Sequence, residues 1–130
     1  MTKEEMASAL MLATHIKSHY PGAFFTGSCV YAKSQEPGDI DIVVNASEQE
    51  LTLTLEAYYG VQPDRLETIA ELSRYAPLRY GGLNVVCMPS QQNFLAWRIA
   101  TLELQLRPPI LDKTARVAEF KRLRDKALLR

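Results

Sequence analysis

The sequence is poor in the features that settle a protein's class on their own. It has two cysteines in 130 residues, Cys29 and Cys87. Two are too few for a disulfide scaffold, and they form neither a Cys-x-x-Cys pair nor a metal-ligand spacing. A reducing, cytoplasmic setting is therefore the expectation. Net charge is lacking as well, since 15 basic side chains balance 15 acidic ones. That excludes a global electrostatic pull toward nucleic acid or membrane. No apolar run approaches the ~20 residues that cross a bilayer, so no membrane partner is expected. Met1-Thr2-Lys3-Glu4-Glu5 is acidic where a secretory leader needs positive charge. Repeats, low-complexity tracts and linkers are missing. What is present, 47% apolar and 23% charged residues, has the balance of one folded domain over residues 1–130. Function must then come from local motifs.

Helix signals recur along the chain. Thr2 with Glu5, Ser47 with Glu50, and Asp64 with Glu67 have capping-box spacing. Met6, Ala9, Leu10, Ala13 and Ile16 make an apolar stripe that Tyr20-Pro21-Gly22 stops. Leu51, Leu55 and Tyr58 predict a second helix, ended by Gly60; Leu66, Ile69, Ala70 and Leu72 predict a third, closed by Pro77. Pro89-Ser90 opens a helix along which Phe94, Leu95, Ile99, Leu102 and Leu106 recur, and Arg107-Pro108-Pro109 stops it. A last helix starts at Asp112, with Val117, Phe120, Leu123, Ala127 and Leu128 as its apolar positions. Residues 91–130 thus read as a C-terminal helical pair. Between the helices, Ala23–Thr26, Asp39–Asn45 and Leu83–Met88 read as strands, and residues 29–33 as one helical turn. The expected fold is α/β (α+β), a small mixed sheet flanked by helices.

The chemistry concentrates in two short pieces. Gly27-Ser28 follows the first strand, and ten residues later comes Asp39-Ile40-Asp41. On a strand, residues i and i+2 face one way, so Asp39 and Asp41 share a side while Ile40 and Ile42 point into the core. Two such carboxylates repel each other and call for a cation. Mg²⁺ (or Mn²⁺) suits one or two carboxylates plus substrate phosphates. A glycine after a strand lets backbone N–H groups approach an anion, and Ser28 adds a hydroxyl donor.

A strand ending in Gly-Ser, followed by Asp-x-Asp on the next strand, resembles the nucleotidyltransferase superfamily with its polymerase-beta-like fold. The resemblance implies a minimal nucleotidyltransferase fold in which Gly27 and Ser28 bind the phosphates of a nucleoside triphosphate. It also implies that Asp39 and Asp41 bind the metal. Leu83-Asn84-Val85-Val86, the stretch Phe94–Trp97–Ala100–Thr101, and Asp112-Lys113 with Arg116-Val117 and Phe120 resemble small phage-encoded nucleotidyltransferase-like proteins. The family usually carries a third carboxylate on a later strand. Here Leu83–Met88 has no acid, and Asn84 stands where one is expected. Asn can offer a carbonyl oxygen but cannot take a proton.

Two readings of function follow. In one, Asp39, Asp41 and Asn84 serve Mg²⁺-dependent nucleotidyl transfer from a nucleoside triphosphate to an acceptor, RNA or protein. In the other, the chain is a catalytically degenerate binding module, antitoxin-like or phage host-modulating. A carboxylate from Glu67 or Glu71 near the metal would favour the first. Oligomeric state stays open.

Other residues have plainer readings. Glu36 reads as a solvated loop acid, with metal support as the alternative. His15 and His19 stand four apart on a helix but lack a third ligand, so they read as surface or helix-end residues. Cys29 and Cys87 read as small buried side chains, and Trp97 as core or subunit interface. Residues 112–130 hold seven basic and three acidic side chains, a local +4. A solvated face, a phosphate-contacting surface and a docking face are all open to that block.

Overall fold

The computed structural model describes residues 1–32, 39–64 and 77–129. Among these, the order is α1 (Lys3–His19), β1 (Phe24–Thr26), α2 (Ser28–Tyr31), β2 (Ile40–Val44), α3 (Glu48–Tyr59), β3 (Leu78–Tyr80), β4 (Leu83–Cys87), α4 (Gln91–Gln105) and α5 (Lys113–Leu128). The fold is α/β, with helices around a small mixed sheet. The helices begin where their caps direct. Thr2, Ser47, Ser90 and Asp112 each accept the backbone N–H three residues on, which satisfies an orphan donor worth about 1 kcal/mol per helix. Gly60 ends α3 in the left-handed conformation. No helix among the described residues is long and apolar enough to cross a membrane.

The strands lie in the order β1-β2-β4-β3. The central pair, β2 and β4, is parallel, and both edges are antiparallel. A parallel pair needs a long crossover, and α3 lies within it. Strand β3 is an element the helix signals hid. Gly81-Gly82 joins it to β4 in a two-residue hairpin turn with Gly81 at φ 60°. The helix expected from Asp64 to Pro77 lies, past its first residue, outside the described residues. Asp64 itself bridges Arg79, and its carboxylate accepts the Gly81 N–H at 3.1 Å.

The strand alternation builds two unequal faces. Ile40, Ile42, Val44, Leu83 and Val85 pack against Ala9, Ala13 and Ile16 of α1 and Leu51 and Leu55 of α3. Each large side chain fully buried there contributes roughly 1.5–3 kcal/mol. On the other face Val43, Val86 and Met88 meet Phe94 of α4. Phe94 covers the Val43 end of the face, while farther along α4 Thr101 reaches Thr26 and Trp97 borders the cleft beside Asp41. Ala100 and Leu104 of α4 then receive Phe120 and Leu123 of α5.

Seven apolar positions expected on buried helix faces are exposed, Leu10 of α1 and Leu128 of α5 among them. Tyr58 is exposed, and Tyr59 packs in its place, because a turn of 3.6 residues continues Leu51–Leu55 to position 59. Val117 is exposed and lies on a cleft wall. On α4 the core face is Phe94, Ala96, Ala100, Thr101 and Leu104, so Leu95, Leu102 and Leu106 are exposed.

Candidate functional site

Register places four polar side chains in one row across the sheet. Thr26 of β1 pairs with Asp41 of β2, Asp41 with Asn84 of β4, and Asn84 with Arg79 of β3. Residues directly opposite on neighbouring strands share a face. The row therefore comes from the pairing of three segments distant in sequence. Asn84 Nδ2 donates to Asp41 Oδ1 at 3.0 Å. The direction is fixed, because an ionised carboxylate only accepts. Asp39, just before β2, faces Arg79 at 3.6 Å. The two carboxylates thus have different companions, an amide for one and a guanidinium for the other.

Gly27 closes on this row from β1. Its backbone has φ 81° and ψ −167°, a region essentially limited to glycine. A Cβ there would overlap Asp41 Oδ2 and lie 3.1 Å from its Cγ. The chain turns at this point into α2, whose Val30 N–H donates to the Gly27 carbonyl. Thr26 behind it is buried and bonds Thr101 of α4 at 2.8 Å. Thr101 gives its own hydrogen to the Trp97 carbonyl, so Thr26 is the donor of the pair. This bond ties the Gly27 turn to α4.

Burial pushes the Asp41 carboxyl up from its ordinary value; the Asn84 bond opposes this, and the nearby Asp39 charge adds to it. Burial likewise raises the Cys29 thiol and the Tyr31 phenol beside it. Cys87 is pushed up to about 12, chiefly by burial. Neither cysteine is an activated thiolate, and both are half-buried against the core, not fully buried as expected.

A cleft of about 330 Å³ opens beside Asp41. Its floor is Thr26, Gly27 and Asp41, and its opposite wall is α5, with Val117, Phe120, Lys121 and Arg124. Tyr31 and Trp97 also line it, and Trp97 packs edge-on against Phe120. The basic block is therefore divided. Lys121 and Arg124 face the cleft, while Arg122 is bound by Glu119, which lowers the Glu119 carboxyl. A larger concavity of about 650 Å³ lies against α1 and Gly81-Gly82, away from Asp41.

The sequence candidates fare unequally. Gly27, Asp41 and Asn84 come together, and Asp39 stands beside them through its place before β2. Ser28 begins α2 next to Gly27 and is not part of the cleft lining. Glu36, Glu67 and Glu71 lie outside the described residues. His15 stacks on Tyr59 and His19 Nε2 meets Tyr59 Oη at 2.9 Å, so both brace α1 against α3. Arg79 is the addition, and Lys121 and Arg124 are the two members of the C-terminal basic block that reach the cleft. Arg79 was hidden with its strand, although Gly81-Gly82 between two apolar runs is a hairpin signal.

Among the described residues no group of three His, Cys, Asp or Glu side chains is poised for a metal. Two carboxylates on one face, with Asp41 seated in the space that a side chain on Gly27 would fill, fit a Mg²⁺ whose shell is completed by phosphate oxygens. No family model, curated protein or solved structure matches the chain.

Proposed function

We propose that this cleft binds a nucleoside triphosphate with Mg²⁺ (or Mn²⁺) and that the chain is a nucleotidyltransferase-like protein of slow turnover. The reading rests on one observation. Gly27 and Asp41, the latter held by Asn84 from outside the cleft lining, meet at the floor of a cleft whose far wall carries Lys121 and Arg124.

Asp39 and Asp41 would hold the cation, which supplies charge neutralisation at the transferred phosphorus and the pyrophosphate. The chain's own groups divide the remaining work. Gly27 lets the Asp41 carboxylate lie against the turn, so that a cation held there and the backbone N–H groups of the turn would meet the same phosphate oxygens. Ser28, at the start of α2, lies within the same turn and would add a hydroxyl. Lys121 and Arg124 balance phosphate charge from the opposite wall. Asn84 fixes the orientation of the Asp41 carboxylate through its amide. It takes no proton, so a general-base contribution of ~10²–10⁴ is missing from this position. The acceptor, RNA or protein, would enter beside Asn84.

The second reading, a binding module without transfer, is favoured by the same Asn84 and by the Arg79 guanidinium beside Asp39. Titration calorimetry with the four nucleoside triphosphates separates the outcomes. Binding that strengthens with Mg²⁺ and disappears in Asp39→Ala/Asp41→Ala is expected, as is slow label transfer to RNA or protein. Binding without transfer leaves the module reading. No heat with any triphosphate at millimolar concentration overturns nucleotide binding.

A further inference from the structure

The outer face of α4 carries an apolar stripe that lies outside the core clusters of the described residues. Leu95, Ile99, Leu102 and Leu106 are spaced four, three and four apart. They lie opposite the core face made by Phe94, Ala96, Ala100, Thr101 and Leu104. Leu95 is 44% exposed, Leu102 49% and Leu106, at the helix cap, 88%. Ile99 between them is half-buried and belongs to none of the core clusters. Single exposed leucines need no explanation, but a continuous row at this spacing is the seam of a two-helix contact.

We infer that this seam is an interface with a second copy of the chain, formed by two α4 helices packed side by side in parallel. Three features choose that occupant. The spacing puts Leu95 and Leu102 at d positions and Ile99 and Leu106 at a positions, and the β-branched Ile99 at a between leucines at d suits a two-stranded contact. The flanks match as well. Arg98 falls at g and Glu103 at the following e, the positions that face each other across a parallel dimer. Arg98 is exposed, and among the described residues no ion pair occupies it. Glu103 holds only Arg107 of its own helix, at 3.5 Å, an exposed contact that yields readily. Antiparallel packing would set the g flank, Gln91, Arg98 and Gln105, against itself and leave Arg98 and Glu103 apart. The seam is also self-complementary under a two-fold axis, as an isologous contact requires.

The contact is short, under two full heptads. It falls at the small end of specific interfaces, below ~1,200 Å² of total buried surface. A reversible, micromolar dimer is therefore expected rather than an obligate one. Both clefts remain open in it, since Lys121, Arg124 and Asp41 are not on the seam.

Sedimentation of the full chain from low micromolar to submillimolar concentration tests this. A concentration-dependent monomer–dimer equilibrium is expected, and Leu102→Glu should abolish it while circular dichroism and the thermal midpoint hold. Arg98→Glu should weaken association about tenfold by placing two acids across the seam, and Arg98→Glu/Glu103→Arg should recover most of the loss. Orientation is read separately in a Cys29→Ser/Cys87→Ser background. In a parallel seam Leu95→Cys and Leu106→Cys each cross-link to their own copy. A monomer at every concentration overturns the inference, as does a dimer indifferent to Leu102→Glu. Cross-links formed only when Leu95→Cys and Leu106→Cys chains are mixed overturn the parallel arrangement.

Discussion

Gly27 has no side chain because Asp41 occupies the space where one would go. A Cβ on Gly27 would run into Asp41 Oδ2, and the glycine's positive φ is closed to other residues at low cost. Gly27→Ala should therefore lower stability by ~1–3 kcal/mol from backbone strain alone. It should also displace the Asp41 carboxylate and remove Mg²⁺-dependent triphosphate binding. Urea unfolding and calorimetry on the same variant check both. A variant that is destabilised yet binds triphosphate normally would separate the glycine from the site.

Asp41 itself sets a pH dependence. Its folded pKa is raised by burial, with the Asn84 bond opposing. A raised group adds stability that is fully present below its unfolded pKa and lost as pH rises through the folded pKa. The charged carboxylate therefore costs stability at neutral pH. Asp41→Asn keeps an acceptor for Asn84 and should raise the melting temperature by a few degrees at neutral pH. That gain should shrink to nothing as pH falls below the usual carboxylate range. A gain constant across the range would mean packing, not charge, is its source.

Arg79 is already a cation beside one of the two acids. The pair is exposed, so breaking it should move stability by less than ~1 kcal/mol. Its larger effect is on metal. Arg79→Met frees Asp39 and should tighten Mg²⁺ or Mn²⁺ binding severalfold, read as a larger thermal shift at subsaturating metal. Unchanged affinity would remove Asp39 from the ligand set.

The parts of the site legible in the sequence were those governed by local rules. Asp39 and Asp41 share a side because strands alternate, the caps at Thr2 and Ser47 follow from capping-box spacing, and Ser90 and Asp112 follow from where their apolar stripes begin. The row Thr26–Asp41–Asn84–Arg79 was only half visible, because register pairs Asp41 with Asn84 across 43 positions. Arg79 went unseen because a three-residue strand leaves too little periodicity against the preceding helix signals. The α4 stripe was seen but its direction was not. Leu95, Ile99 and Leu102 are more apolar than Ala96, Ala100 and Thr101, yet only the small residues allow α4 close approach to its neighbours.

Thr101 is one of those close approaches, and its hydroxyl is a relay. It accepts from Thr26 and donates to the Trp97 carbonyl. Thr101→Val preserves shape and leaves the buried Thr26 hydroxyl without that acceptor, at a cost of about 1–3 kcal/mol. Thr26→Val/Thr101→Val should cost less than the two single changes summed, because the pair is removed together. Additive losses would mean the two hydroxyls are not coupled.

Lys121 and Arg124 decide whether the cleft or the whole basic helix attracts phosphates. Both line the cleft, and Arg124 shares its guanidinium with Asp125 at 3.1 Å. Lys121 has no ion pair among the described residues, so it is the freer cation. Lys126 lies on the same helix but not on the cleft lining. If triphosphate is held in the cleft, Lys121→Glu should weaken its binding at least tenfold, the size of one lost charge-assisted contact of about 1.5–3 kcal/mol. Lys126→Glu makes the same change of charge and should weaken it far less. If instead α5 attracts polyanions through its field, both variants should lose RNA binding equally, with affinity falling steeply as salt rises. Measuring triphosphate and RNA binding for both variants at two salt concentrations distinguishes the cases. Equal loss of triphosphate binding in Lys121→Glu and Lys126→Glu would move phosphate recognition out of the cleft and onto the helix surface.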